Sequence, residues 1–157
     1  MRVGFIGLGN VGAKLSGSLL RNGVDLSVHD LETELVAGFV ACGARDGGSP
    51  AQLMQACDTV ITCLPSLAAC AAVMEQMLPE IVPGKTWIEM STTDASEVRR
   101  LAEQVNAVGA EAVECPVSGG CHRADTANIS IFAGCSRPVF ERVLPLLTLM
   151  GRRVLHT

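Results

Sequence analysis

The residues best equipped for chemistry stand near the start of the chain, where Gly7-Leu8-Gly9-Asn10-Val11-Gly12 sets three glycines at the spacing GxGxxG. In such a loop the first glycine permits a tight turn, the second lets the backbone approach a pyrophosphate, and the third lets helix and strand pack closely. The helix opening there offers free N–H groups and a positive dipole end to an anion. Asp30 follows at roughly the 20-residue distance expected of a carboxylate that accepts hydrogen bonds from an adenosine ribose. Its alternative employment is as N-cap of a helix beginning near Glu32. In the first role it repels a ribose 2′-phosphate, and no arginine immediately follows, so the pattern favours NAD over NADP.

A glycine loop of this kind works only between a strand and a helix, and the flanking residues supply both. RVGFI (2–6) reads as a strand, and Val11, Leu15, Leu19 and Leu20 recur at helical spacing. VDLSVH (24–29) alternates as a second strand, and a helix over 32–41 closes at Gly43. TVITCL (59–64) and TWIEM (86–90) are apolar runs, each followed by a Pro-, Ser- or Thr-rich loop and a helical segment. EAVECPV (111–117) is a further strand, and NISIFAG (128–134) has no helix before it, which predicts an antiparallel edge. A closing helix over 138–149 should be kinked or divided at Pro145, before a last strand at RRVLH. Strands alternating with helices imply a Rossmann-type α/β fold, a doubly wound and mostly parallel sheet, with residues 1–157 as one dinucleotide-binding domain.

Composition agrees with buried parallel strands: 48% of residues are hydrophobic, 18% charged and 3% aromatic. A net charge of −4 with scattered Lys and Arg excludes a nucleic-acid footprint. No run reaches transmembrane length, because Asp58 and Pro65 break the most apolar region, and a soluble, cytoplasmic protein is expected. Seven cysteines without CxxC spacing suggest reduced thiols, neither disulfides nor a metal site.

In a doubly wound sheet the ligand sits beyond the carboxyl ends of the strands, so the loops there carry the remaining candidates. They are Cys63-Leu64-Pro65-Ser66, Ser91-Thr92-Thr93 and Pro116-Val117-Ser118-Gly119-Gly120. Ser118-Gly119-Gly120 is a turn with a hydroxyl and unhindered N–H groups, suited either to a small carboxylate or hydroxyl or to nothing more than turning the chain. His122 and Cys121 lie beside it, one with the intrinsic range for proton transfer, the other without an activating partner.

In order along the chain these motifs resemble the N-terminal domain of the β-hydroxyacid dehydrogenases, the family of 3-hydroxyisobutyrate dehydrogenase and, more distantly, 6-phosphogluconate dehydrogenase. VGFIGLGNVG is similar to the family fingerprint, with Val11 where methionine is usual. The resemblance implies that Gly7, Leu8, Gly9, Asn10, Val11, Gly12 and Asp30 hold the dinucleotide, that Leu64, Pro65 and Thr92 meet its nicotinamide end, and that Ser118, Gly119 and Gly120 hold substrate. Glu89 and Glu114 stand where aspartates are common, and Arg123, Ala127 and Cys135 replace smaller residues or glycine.

The family's catalytic lysine has no counterpart: Lys14 and Lys85 fall elsewhere. The resemblance therefore implies a chain cut before the helical domain that carries the lysine, inactive alone, and in the intact enzyme a homo-oligomer oxidising a small 3-hydroxyacid. An imine reductase-type NADPH-dependent enzyme and a non-catalytic nucleotide-binding module are the alternatives.

Overall fold

The computed structural model describes residues 1–91, 94–118 and 129–157. Strand and helix alternate along them as β1 (Arg2–Ile6), α1 (Asn10–Arg21), β2 (Asp25–His29), α2 (Thr33–Ala41), β3 (Arg45–Asp46), α3 (Pro50–Ala56) and β4 (Thr59–Thr62). Then come α4 (Leu67–Met77) with a 3₁₀ turn at Leu78–Glu80, β5 (Thr86–Glu89), α5 (Ala95–Ala107), β6 (Glu111–Glu114), β7 (Val117–Ser118), β8 (Ser130–Ala133), α6 (Arg137–Leu147) and β9 (Arg153–His156).

Six strands lie parallel in the order β3-β2-β1-β4-β5-β6. From the central β1 the chain winds outward through β2 and β3, then crosses back to β4 on the other side of β1 and winds outward again. Right-handed crossovers put the helices of the two halves on opposite faces. Alternation along the strands feeds both faces: Val3, Phe5, Ile61, Ile88 and Val113 join a cluster with Leu15 and Leu19 of α1 and Val143 and Leu147 of α6. Ile6, Val60 and Trp87 join the opposite cluster with Leu53 of α3, Met74 of α4 and Leu101 of α5. A sheet buried on both sides accounts for the near-continuous apolar runs in its strands.

Beyond β6 a second sheet begins, with β7 antiparallel to β8 and β8 parallel to β9. The antiparallel strand expected near the end of the chain is β8, but it lies between β7 and β9 rather than at a sheet edge. The two sheets meet where Glu114 and Gly134 exchange both backbone hydrogen bonds, at 3.1 and 2.7 Å. Asn106 Oδ1 accepts the Ala112 N–H of the same edge at 3.2 Å. No helix among the described residues is long and apolar enough to cross a membrane.

The single strand expected over 111–117 is divided between β6 and β7, which lie in different sheets, and two further points depart from the sequence reading. Pro145 does not divide α6, which runs unbroken to Leu147; the proline falls in the last turn, close to where the helix ends in any case. Residues 45–56 hold β3 and α3, too short for hydrophobic periodicity to reveal. The signal for α3 is a capping box: the Ser49 side chain accepts from the Gln52 N–H, the Gln52 side chain accepts from the Ser49 N–H, and Pro50 stands in the first turn.

Lys85, just before β5, closes the other end of α3, its Nζ donating to the carbonyls of Met54, Gln55 and Cys57 at 2.6, 3.1 and 2.8 Å. Lys85→Met keeps the aliphatic stem and leaves those carbonyls without this donor. It should lower stability by about 1–3 kcal/mol, read as a lower urea midpoint with an unchanged slope. An unchanged midpoint would mean that water replaces the ammonium at no cost.

Candidate functional site

Where the winding reverses, between β1 and β4, the loops at the carboxyl ends of the strands part and leave a crevice. Backbone bonds continue one residue past the strands, from Gly7 N–H to His29 (3.0 Å), Cys63 to Ile6 (3.0 Å) and Met90 to Thr62 (2.8 Å), so the loops leave the sheet at one level. The crevice is a cleft of about 810 Å³, bounded among others by Gly7, Gly9, Asn10, Val11, Gly12, Asp30, Leu64 and Pro65. Those eight candidates are thus brought together. Leu8 is not on the wall: its side chain is buried in the core. Ser118 belongs to β7 by its backbone, and its neighbour Val117 and, from the start of the next described segment, Ile129 line the cleft. Thr92, Gly119, Gly120, Cys121, His122, Arg123 and Ala127 lie outside the described residues.

The three glycines answer to different constraints. At Gly7 φ is +102°, and a Cβ would lie 2.1 Å from the Cys63 carbonyl oxygen. At Gly12 a Cβ would lie 1.9 Å from the Gly7 carbonyl oxygen. Packing within the chain demands both. Around Gly9 no described residue lies within 4 Å of a built Cβ, and its φ of −71° suits any residue. Gly9 is also the N-cap of α1, which has no side-chain cap and no acidic residue in its first turn. By contrast α3, α4 and α5 are capped by Ser49, Ser66 and Asp94. The first turn of α1 therefore presents N–H groups to the cleft with no capping anion or hydroxyl among the described residues.

Asp30 is tied to this loop. Its Oδ2 accepts the Leu8 N–H at 2.7 Å and its Oδ1 accepts the Glu32 N–H at 2.8 Å. Glu32, not Asp30, takes the N-cap position of α2. A carboxylate has about four acceptor positions, so two remain for hydroxyl donors in the cleft. His29, Leu31 and Glu32 share this rim and were not among the sequence candidates. Leu31 is 92% exposed, an apolar surface beside the carboxylate, and Glu32 adds a second negative charge. Their only signal in the sequence is adjacency to Asp30. The far wall is one face of α4, with Ala69, Ala72, Val73 and Gln76 at the i, i+3, i+4, i+7 spacing.

Behind the Leu64–Pro65 wall lies a polar cluster in an otherwise apolar interior. Trp87 Nε1–H donates to Thr62 Oγ1 (2.9 Å), which donates to Glu89 Oε2 (2.7 Å). Glu89 Oε1 accepts the Ser91 N–H (2.5 Å), and Ser91 Oγ accepts the Leu64 N–H (2.7 Å). The Cys70 thiol lies 3.7 Å from both Glu89 Oε2 and Ser91 Oγ. Burial pushes the Glu89 carboxyl above its ordinary range, against donors from Ser91, Thr62 and Cys70 that pull it down. Burial, helped by the charge of Glu89 and by Cys70, pushes the Cys63 thiol up to about 12.

The family model described as the NAD binding domain of 6-phosphogluconate dehydrogenase matches residues 2–157. The mitochondrial 3-hydroxyisobutyrate dehydrogenase of Mus musculus is 32% identical over 98% of this chain and 47% of its own length. The solved structure of Mycobacterium tuberculosis 3-hydroxyisobutyrate dehydrogenase with L-serine superposes with a TM-score of 0.91 at 26% identity, over 99% of this chain and 54% of that one. An imine reductase from Myxococcus stipitatus in complex with NADP+ gives a TM-score of 0.92 at 14% identity, over 100% and 55% of the two chains, a likeness of fold alone. The chain spans about half the length of the curated relatives it matches.

Cys63 offers a test of the cleft's inner wall. Its folded value is raised above the 9.0 of a free thiol, so its contribution to stability is full below pH 9.0 and is lost as pH rises toward about 12. Unfolding free energy should fall above pH 9 and fall less steeply in Cys63→Ala. Equal slopes in the two proteins would mean that the thiol ionises as readily in the fold as outside it.

Proposed function

Because this chain belongs to the family of the NAD-binding domain of 6-phosphogluconate dehydrogenase, we propose that its cleft holds NAD(H) and, in the whole enzyme, presents it to a small 3-hydroxyacid. Gly9 carries the reading: it is a glycine whose place no contact with the described residues requires, at the uncapped start of α1, facing a cleft of ligand size. A pyrophosphate fits there, against the N–H groups of Asn10, Val11 and Gly12 and the positive end of α1. Asp30 takes the ribose hydroxyls with its remaining acceptor positions, held in place by Leu8 and Glu32. The carboxylates of Asp30 and Glu32 together disfavour a 2′-phosphate, so NAD is the preferred form. Leu64, Pro65 and Thr92 hold the nicotinamide end, and Ser118, Gly119 and Gly120 the substrate.

The bound nicotinamide supplies hydride transfer. The chain's own work is orientation and the exclusion of water by the apolar wall of Cys63, Met90, Val117 and Ile129. No lysine is among the described residues of the cleft, so residues 1–157 alone should bind nucleotide as one domain without turnover. The free thiols suit a reducing compartment such as the cytoplasm.

Titration with NADH, followed by nicotinamide fluorescence, tests the reading. Gly9→Ala should lose much less stability than Gly12→Ala, only the preference of an N-cap for Gly over Ala, since its Cβ meets no described residue, yet bind NADH at least ~10-fold more weakly, a loss of about 1.4 kcal/mol. Gly12→Ala should lose stability outright. Full NADH affinity in Gly9→Ala would remove the phosphate from this loop.

A further inference from the structure

Burying a carboxylate among Trp87, Thr62 and Cys70 is costly, and a hydrophobic residue of similar size would fill the same space at less cost. What Glu89 does in return is visible in the one arm of its cluster that leaves the core. The loop between β4 and α4 has few ways of being held. The Cys63 N–H completes the ladder to β1, Pro65 has no N–H, and the Ser66 side chain is engaged at the start of α4 with Ala69. The bond from the Leu64 N–H to Ser91 Oγ is what ties the cleft-facing part of this loop sideways, to the end of β5.

The Ser91 hydroxyl meets the Leu64 N–H only where the Ser91 backbone is held to place it. Glu89 Oε1 holds the Ser91 backbone through its N–H at 2.5 Å, and Glu89 is itself steadied by Thr62 and, through Thr62, by Trp87. We propose that Glu89 is a positioning residue: acting through Ser91, it fixes the Leu64 amide and so sets the wall on which the nicotinamide end of the dinucleotide rests. This rests on the dinucleotide reading above. Glu89→Gln breaks the arrangement because an amide replaces one accepting oxygen with a donor, facing groups that are themselves donors. Ser91→Ala keeps the backbone bond to Glu89 and removes the acceptor of the Leu64 N–H, together with the 3.7 Å contact of the Cys70 thiol.

The test uses the whole 157-residue chain and three readings. NADH and adenosine diphosphate are titrated into the unsubstituted protein, Glu89→Gln and Ser91→Ala; hydrogen exchange follows the Leu64 amide; thermal unfolding confirms that each variant is folded. Both variants should bind adenosine diphosphate as the unsubstituted protein does and NADH about tenfold more weakly, and their Leu64 amides should exchange faster. Equal weakening of both nucleotides would mark Glu89 as merely structural and overturn the proposal. So would undiminished NADH affinity, or a Leu64 amide as protected in Ser91→Ala as before. If Glu89→Gln does not fold, Ser91→Ala decides on the same readings. Failure of the unsubstituted protein to bind either nucleotide would sink the dinucleotide reading and the nicotinamide part of the proposal, while Leu64 exchange would still decide whether the cluster fixes the loop.

Discussion

Everything at the cleft depends on how closely three stretches of backbone pass one another at the end of β1. Gly7 lies against the Cys63 carbonyl on one side, bonds to the His29 carbonyl on another, and lends its own carbonyl as the surface over which Gly12 crosses. That crossing sets where α1 begins and how tightly it lies on the sheet. The Leu8 N–H is thereby directed at Asp30, so the loop that would meet phosphate and the carboxylate that would meet ribose are one hydrogen-bonded unit. Side chains could not achieve this approach, because any Cβ at Gly7 or Gly12 would overlap a carbonyl oxygen.

Much of this was legible in the sequence because it depends on local rules. The spacing of Gly7, Gly9 and Gly12, the strand before them and the apolar period after them state a strand–turn–helix unit without reference to the rest of the chain. Asp30 was legible as a carboxylate at the end of the next strand. Its bond to Leu8 was not, since it joins residues 22 apart whose meeting is decided by strand pairing. For the same reason Leu8, inside the motif, was counted with the binding residues although its side chain turns into the core.

The Glu89 cluster marks where sequence reading stops. Thr62, Cys70, Trp87, Glu89 and Ser91 come from β4, α4, β5 and the loop after it, and nothing in their spacing says that they meet. Glu89 was noticed only as a departure from a common aspartate. In the structure the longer side chain collects donors from Thr62 at the end of β4, Cys70 of α4 and Ser91 just past β5, and the sheet register that aligns Thr62 with Glu89 makes the first of these possible. The short elements β3 and α3 were missed for a different reason: α3 is defined by its capping box, and few apolar residues repeat within it.

The junction between the two sheets has a consequence for how this chain keeps company. Of the N–H groups in β6, those of Ala112 and Glu114 turn away from β5, and an exposed strand with two such donors in a row is a template for a second chain. Here Asn106 takes one and Gly134 the other. The last strand of the parallel sheet is thereby spent internally. Strand-by-strand aggregation from this margin would first have to break bonds that the native fold has already made.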